Sequence, residues 1–261
     1  MMLTAFADCC LWMEVVIDAL WQQLPTTYKR RSGPTPRCSE SELLTLALVG
    51  EGRGWTTETT LRSHWAAYPQ LVPVLPERSR CNRRRRPLQH ALNAIRQAVL
   101  AVLDGAPDRH CAIDRLPVPV LQFHFVLAPA SASAVVVGGA LLREHANLVV
   151  IGDNGDSSAP LAHALREAHA VRLLTVPRRT QHHQLPAAVA RRRNGLRQII
   201  ETVNGQLTEQ FGLARHHAHT FAGLCARLHT TLAAHTRCLW RNRLLGHADF
   251  LHIKRLAFPA N

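Results

Sequence analysis

Three carboxylates in this 261-residue chain are spaced as a metal-dependent nuclease would need them. Asp114 closes the apolar stretch Cys111-Ala112-Ile113, and Asp153 closes Leu148-Val149-Val150-Ile151-Gly152. Glu201 lies in the helical run Leu196–Val203. Two acids at strand ends and one on a helix can converge on a pair of Mg²⁺ ions, with Mn²⁺ as a substitute. Such ions, roughly 3.5–4 Å apart, clamp the attacking and leaving oxygens of an in-line displacement at phosphorus.

Each acid also has a plainer explanation. Asp153 sits in Gly152-Asp153-Asn154-Gly155, where an aspartate can simply form the turn. Glu201 and Arg197, four residues apart, can form a surface ion pair on one helix face. Asp114 can cap the turn that follows it. What favours chemistry is the ordered occurrence of all three behind β-type or helical runs.

The charge balance points the same way. Thirty-one basic residues face 18 acidic ones, for a net charge of +13, and 29 of the basic residues are arginine. Arginine forks onto phosphates and stacks on bases, so a polyanionic partner such as double-stranded DNA fits. A GC-rich genome would also enrich arginine and alanine. The densest basic run is Arg78–Arg86, in which Arg83, Arg84, Arg85 and Arg86 are consecutive; it reads as a phosphate contact or a solvated loop. Arg178 and Arg179 form a second basic pair, followed by His182 and His183. Seven cysteines without a C-x-x-C spacing predict a reduced, intracellular protein. The N-terminus carries Asp8, Glu14 and Asp18 and does not read as a signal peptide. The stretch Leu116–Leu142 lacks Asp, Glu, Lys and Arg, but Pro117, Pro119 and Pro129 break it. It reads as strand and loop, with no membrane partner, which predicts a cytoplasmic location.

Around these residues the pattern divides into two domains. Residues 1–106 read as helical and basic, with helices over 3–24, from Ser39, over 57–68 and over 87–103. Ser39 with Glu42 three residues on forms a capping-box pattern ahead of the apolar run Leu43–Val49. This region could hold a helix-turn-helix-like DNA reader, with no motif to say which helix enters a groove. Residues 107–261 alternate β-type runs (110–113, 118–127, 148–152, 171–176) with helical runs (138–146, 159–168, 186–210, 220–245), which predicts an α/β domain. No G-x-G-x-x-G, Walker sequence or nucleophile elbow is present. Cys225, His229, His235 and Cys238 have zinc-like spacing but fall within one Ala- and Leu-rich helical run, whose single face cannot collect all four.

The segments Cys-Ala-Ile-Asp114-Arg-Leu-Pro-Val-Pro, Gly-Asp153-Asn-Gly and Arg197-Gln-Ile-Ile-Glu201-Thr-Val-Asn-Gly-Gln-Leu resemble the three acid motifs of DDE transposases. The likeness is to bacterial transposases of the insertion sequence 982 group. Arg172–Arg179, Ala218–Leu228 and Asn242–Gly246 share it. The resemblance implies a ribonuclease H-like catalytic domain after a helical N-terminal domain. It implies binding of terminal inverted repeats and target DNA, end cleavage and strand transfer, and action as a homodimer on DNA near the nucleoid. By the same resemblance Asp114, Asp153 and Glu201 would be catalytic and metal-binding, and Arg197 would face DNA.

The sequence departs from that pattern. Arg115 stands where the group has serine after the first acid. Asn154 and Asp156 stand for the lysine and tyrosine of the second motif. Asp114 and Asp153 are 39 positions apart, too few for a ribonuclease H-like sheet, which needs two antiparallel strands and a helix between them. The run Gln122–Pro129 reads as a junction left by an internal deletion, so the domain is shortened between 120 and 135 and its sheet incomplete. The alternative function is an inactive remnant that only binds DNA.

Overall fold

The structure, a computed structural model, describes residues 6–29, 33–103, 110–112, 132–152, 158–175, 187–215, 217–246 and 253. Contacts group the chain into two units: residues 1–103 with 206–261, and residues 104–205. This division differs from a boundary near 107. The C-terminal segment gathers with the N-terminal helices because its long helix packs on two of them.

The first unit is helical. Its helices are α1 (Phe6–Gln23), α2 (Glu40–Arg53), α3 (Glu58–Ala66), α4 (Arg78–Arg85), α5 (Gln89–Leu103) and, from the far end of the chain, a helix over Phe221–Leu244. Helix α2 begins with the anticipated capping box: the Ser39 hydroxyl accepts from the Glu42 backbone N–H at 3.0 Å, and the Glu42 carboxylate accepts from the Ser39 N–H. Leu43–Gly52 are all buried, because neighbouring helices cover α2 on every side. Trp65 is fully buried, and its indole N–H donates to the Leu46 carbonyl at 3.1 Å. Of the basic run, 78–85 form a helix rather than a loop, with Cys81 its buried anchor, and Arg86 begins a short 3-10 turn.

The second unit is built β1 (His110–Ala112), α6 (Ala134–Leu142), β2 (Val149–Gly152), α7 (Ala159–His169), β3 (Arg172–Thr175) and α8 (Ala187–Gly205); the helix over Phe221–Leu244 is therefore α9. The described strands form one sheet in the order β1-β2-β3, with both pairings parallel. Parallel neighbours require crossovers, and α6 and α7 supply them. Leu142, Val150, Leu165 and Val171 form the buried core between sheet and helices. Helix α7 starts at Ser158, whose hydroxyl accepts from the Leu161 N–H at 3.3 Å, with Pro160 in the first turn. Helix α6 starts and ends four residues ahead of the expected 138–146. The strand expected over 118–127 lies outside the described residues. Among the described residues β1 is paired with β2 along its whole length. Among the described residues no helix is long and apolar enough to cross a membrane.

Candidate active site

The register of the described strands matches the sequence spacing of the two aspartates. Ala112 lies opposite Ile151 in the β1–β2 ladder, an offset of 39 held at all three paired positions. Asp114 and Asp153 are separated by the same 39 positions, each two residues beyond one member of that last pair. Both acids are outside the described residues, but the strands that lead to them run side by side and end at one edge. Strand spacing there is about 4.8 Å.

Glu201 belongs to α8, which packs against β1, the strand leading to Asp114. Ile200 and Val203 are buried, whereas Glu201 is exposed. The helix is therefore held by its apolar residues while this carboxylate stays accessible. Arg197 is one turn earlier on α8, and its side chain is outside the description, as are Arg178, Arg179, His182 and His183.

In the helical unit the four consecutive arginines separate into two pairs. Arg84 donates to the Glu40 carboxylate at 3.0 Å and to the Cys38 carbonyl at 2.8 Å. Arg85 pairs with Glu58 at 2.6 Å. Arg83 and Arg86 are exposed. The run thus places one pair of guanidinium groups in internal ion pairs and presents the other pair to solvent. Helical spacing makes this split: Arg83 and Arg86, three positions apart, share one face, and Arg84 and Arg85 between them reach Glu40 and Glu58.

The rest of the unit's ionic chemistry serves folding. Glu51, buried on α2, accepts from Arg227 and from the Thr231 hydroxyl, both on α9. Arg227 also donates to the Phe211 carbonyl at 3.1 Å. The four residues with zinc-like spacing all lie on α9. One of them, His235, is fully buried and bonded to the Gln206 side chain at 3.0 Å. Burial pushes its imidazole down to about 3. Burial first, then Arg96 and His90, lower His229 to about 4. Cys10 and Cys38 are pushed up to about 12, mainly by burial, so their thiols are structural rather than nucleophilic.

One exposed basic side chain belongs to no charge run. Arg62 stands alone between Leu61 and Ser63, exposed on α3.

The second unit is a parallel α/β unit whose adjacent strands β1 and β2 precede Asp114 and Asp153 in the sequence. Residues 108–237 match the family model of the transposase DDE domain. The match supports a DDE transposase and implies a ribonuclease H-like fold acting on DNA, in a family that generally uses divalent metal ions. The small parallel sheet is consistent with an incomplete version of that fold. No curated protein and no solved structure matches the chain.

Proposed function

We propose that the chain is an insertion-sequence transposase of the insertion sequence 982 group, cleaving DNA ends and joining them to target DNA. The observation that carries this reading is the shared offset of 39 between the β1–β2 ladder and the two aspartates. On this reading the register would continue by two positions, so that Asp114 would stand opposite Asp153, next to the strand on which α8 packs.

Three carboxylates form an all-oxygen donor set of the kind that suits Mg²⁺ or Mn²⁺. Asp114 and Asp153 would hold the ions, and Glu201 would complete the site. When bound, a metal pair supplies an activated water and neutralises charge that develops on the phosphoryl oxygens. Arg197, one turn before Glu201, would meet the DNA backbone near the reacting phosphate. Arg83 and Arg86, together with Arg178 and Arg179, would contact other phosphates, while Arg84 and Arg85 would support α4 through their ion pairs. A homodimer would bring the two terminal inverted repeats together.

The connection 113–148 carries an internal deletion relative to the family, and pairing of β1 with β2 supports a fold that survives it. The rival reading, a remnant that only binds DNA, draws on the same short connection. The test is cleavage of plasmid DNA bearing the gene's own flanking sequence. Metal-dependent cleavage supports the transposase, and metal-independent binding without cleavage supports the remnant.

A further inference from the structure

The turn between α2 and α3 is Gly54-Trp55-Thr56-Thr57, the length and glycine content of a DNA-binding helix-turn-helix. Its geometry is fixed from several directions. Gly54 ends α2 in the left-handed region at φ 83°. The Trp55 N–H donates to the Gly50 carbonyl at 2.8 Å. Thr57 caps α3, its hydroxyl accepting from the Thr60 N–H at 3.1 Å. Gly50 lets the two helices approach so closely that an added Cβ would lie 2.1 Å from a Leu61 methyl. The Trp55 ring stacks on His64 with centroids 4.5 Å apart and meets Trp65 edge-on at 5.5 Å. The turn and the second helix therefore form one preorganised block.

Leu61 and Trp65 anchor α3 in the core. The opposite face presents Thr59, Arg62, Ser63 and Ala66, all exposed. On the neighbouring helix Arg78 donates to the Thr59 hydroxyl at 3.2 Å, and Arg80 and Arg83 are exposed, as is Arg86 just past its end. Among the acids nearby, Glu40 and Glu58 are neutralised by Arg84 and Arg85, and Glu77 is exposed. The surface is thus strongly basic and carries a short, rigid helix on which Thr59, Ser63 and Ala66 are small, Arg62 is exposed, and the exposed His64 is held by its stack on Trp55.

We infer that α3 is the helix that enters the DNA major groove, with Arg62 reading a guanine edge and Arg83 and Arg86 gripping flanking phosphates. This rests on the DNA-binding part of the proposed function. An arginine fork fits the O6 and N7 acceptors of guanine, whereas the small neighbours Thr59, Ser63 and Ala66 allow α3 to sit deep. Phosphate contacts position the protein and base contacts specify the sequence.

The full-length protein is used to select duplexes from a random pool, and affinities are measured for the selected duplex and a scrambled one. Arg62→Ala and Arg62→Lys should weaken binding to the selected duplex by about tenfold to a hundredfold while leaving scrambled DNA nearly unchanged. Lysine keeps the charge but loses the fork, so its failure to rescue marks base reading. Arg83→Ala should weaken both duplexes alike. Melting curves that match the wild type would show that the exposed substitutions leave the fold intact. Equal weakening of both duplexes by the Arg62 variants, or no weakening, overturns the inference. So does loss of sequence preference in the Arg83 variant instead, which would make α4 the reader. A wild type that binds duplexes without preference also overturns it but leaves the proposed function standing. A wild type that binds no duplex sinks both.

Discussion

Glu201 is exposed on α8 between the buried residues Ile200 and Val203, so its carboxylate can be altered without disturbing the packing of the helix. Glu201→Gln should therefore leave the melting temperature unchanged and lower metal-dependent cleavage by about a hundredfold or more, since even outer-sphere changes at metal sites cost 10–100-fold. Parallel melts and plasmid-nicking assays check both halves. Glu51 has the opposite character. Its carboxylate is buried and holds Arg227 and Thr231 of α9 against α2. Glu51→Ala strands a buried guanidinium and should cost about 3–5 kcal/mol of stability, read from denaturant midpoints. This side chain carries no sequence signature that separates it from a catalytic acid; only its burial does so.

Among the elements, α2 and α3 depend on the absence of a side chain at position 50. Gly50→Ala should destabilise the helical unit, because displacing Leu61 costs about 1–3 kcal/mol against at most about 1 kcal/mol gained in helix propensity. Denaturant unfolding would show the net sign. Helix α9 makes the same unit sensitive to acid. His229 and His235 are held neutral, at about 4 and about 3, below their unfolded value. The groups facing them are Arg96 and His90 around His229, and Gln206 and Phe211 around His235. Between the unfolded value near 6.5 and the folded values, the unfolded chain binds more protons, so stability falls as pH drops through that interval. Melting temperatures at pH 7 and pH 5 should differ in that direction, and His235→Gln should reduce the difference.

Local signals made these elements legible and long-range partnerships did not. Ser39 with Glu42 marked the start of α2, and the apolar run behind it marked its burial. The spacing of α9 showed a helix but not that it would pack on α5 and α2, because periodicity gives the apolar face without naming its cover. Arg84 and Arg85 read as equivalent to Arg83 and Arg86, because their partners Glu40 and Glu58 lie 44 and 27 positions away. The 39-residue spacing of the aspartates was visible, but its equality with a strand register needed the pairing of β1 with β2.

At the scale of the whole molecule, a net charge of +13 dominated by arginine predicts DNA binding that weakens steeply with salt. The slope of log affinity against log salt should be about −0.9 per phosphate contacted. Arg83→Ala and Arg86→Ala should each reduce that slope by about one, whereas Glu201→Gln should not change it. The match of residues 108–237 to the transposase DDE domain supports a transposase, and the proposed function adds that Asp114, Asp153 and Glu201 would act together on DNA. The most direct test is cleavage of a plasmid carrying the gene's flanking sequence, with wild type and Asp153→Asn compared in Mg²⁺ and in EDTA. The account predicts nicked or linear product only for the wild type and only with metal, with DNA binding retained by the variant. Equal cleavage by Asp153→Asn, or binding without cleavage by either protein, would contradict it.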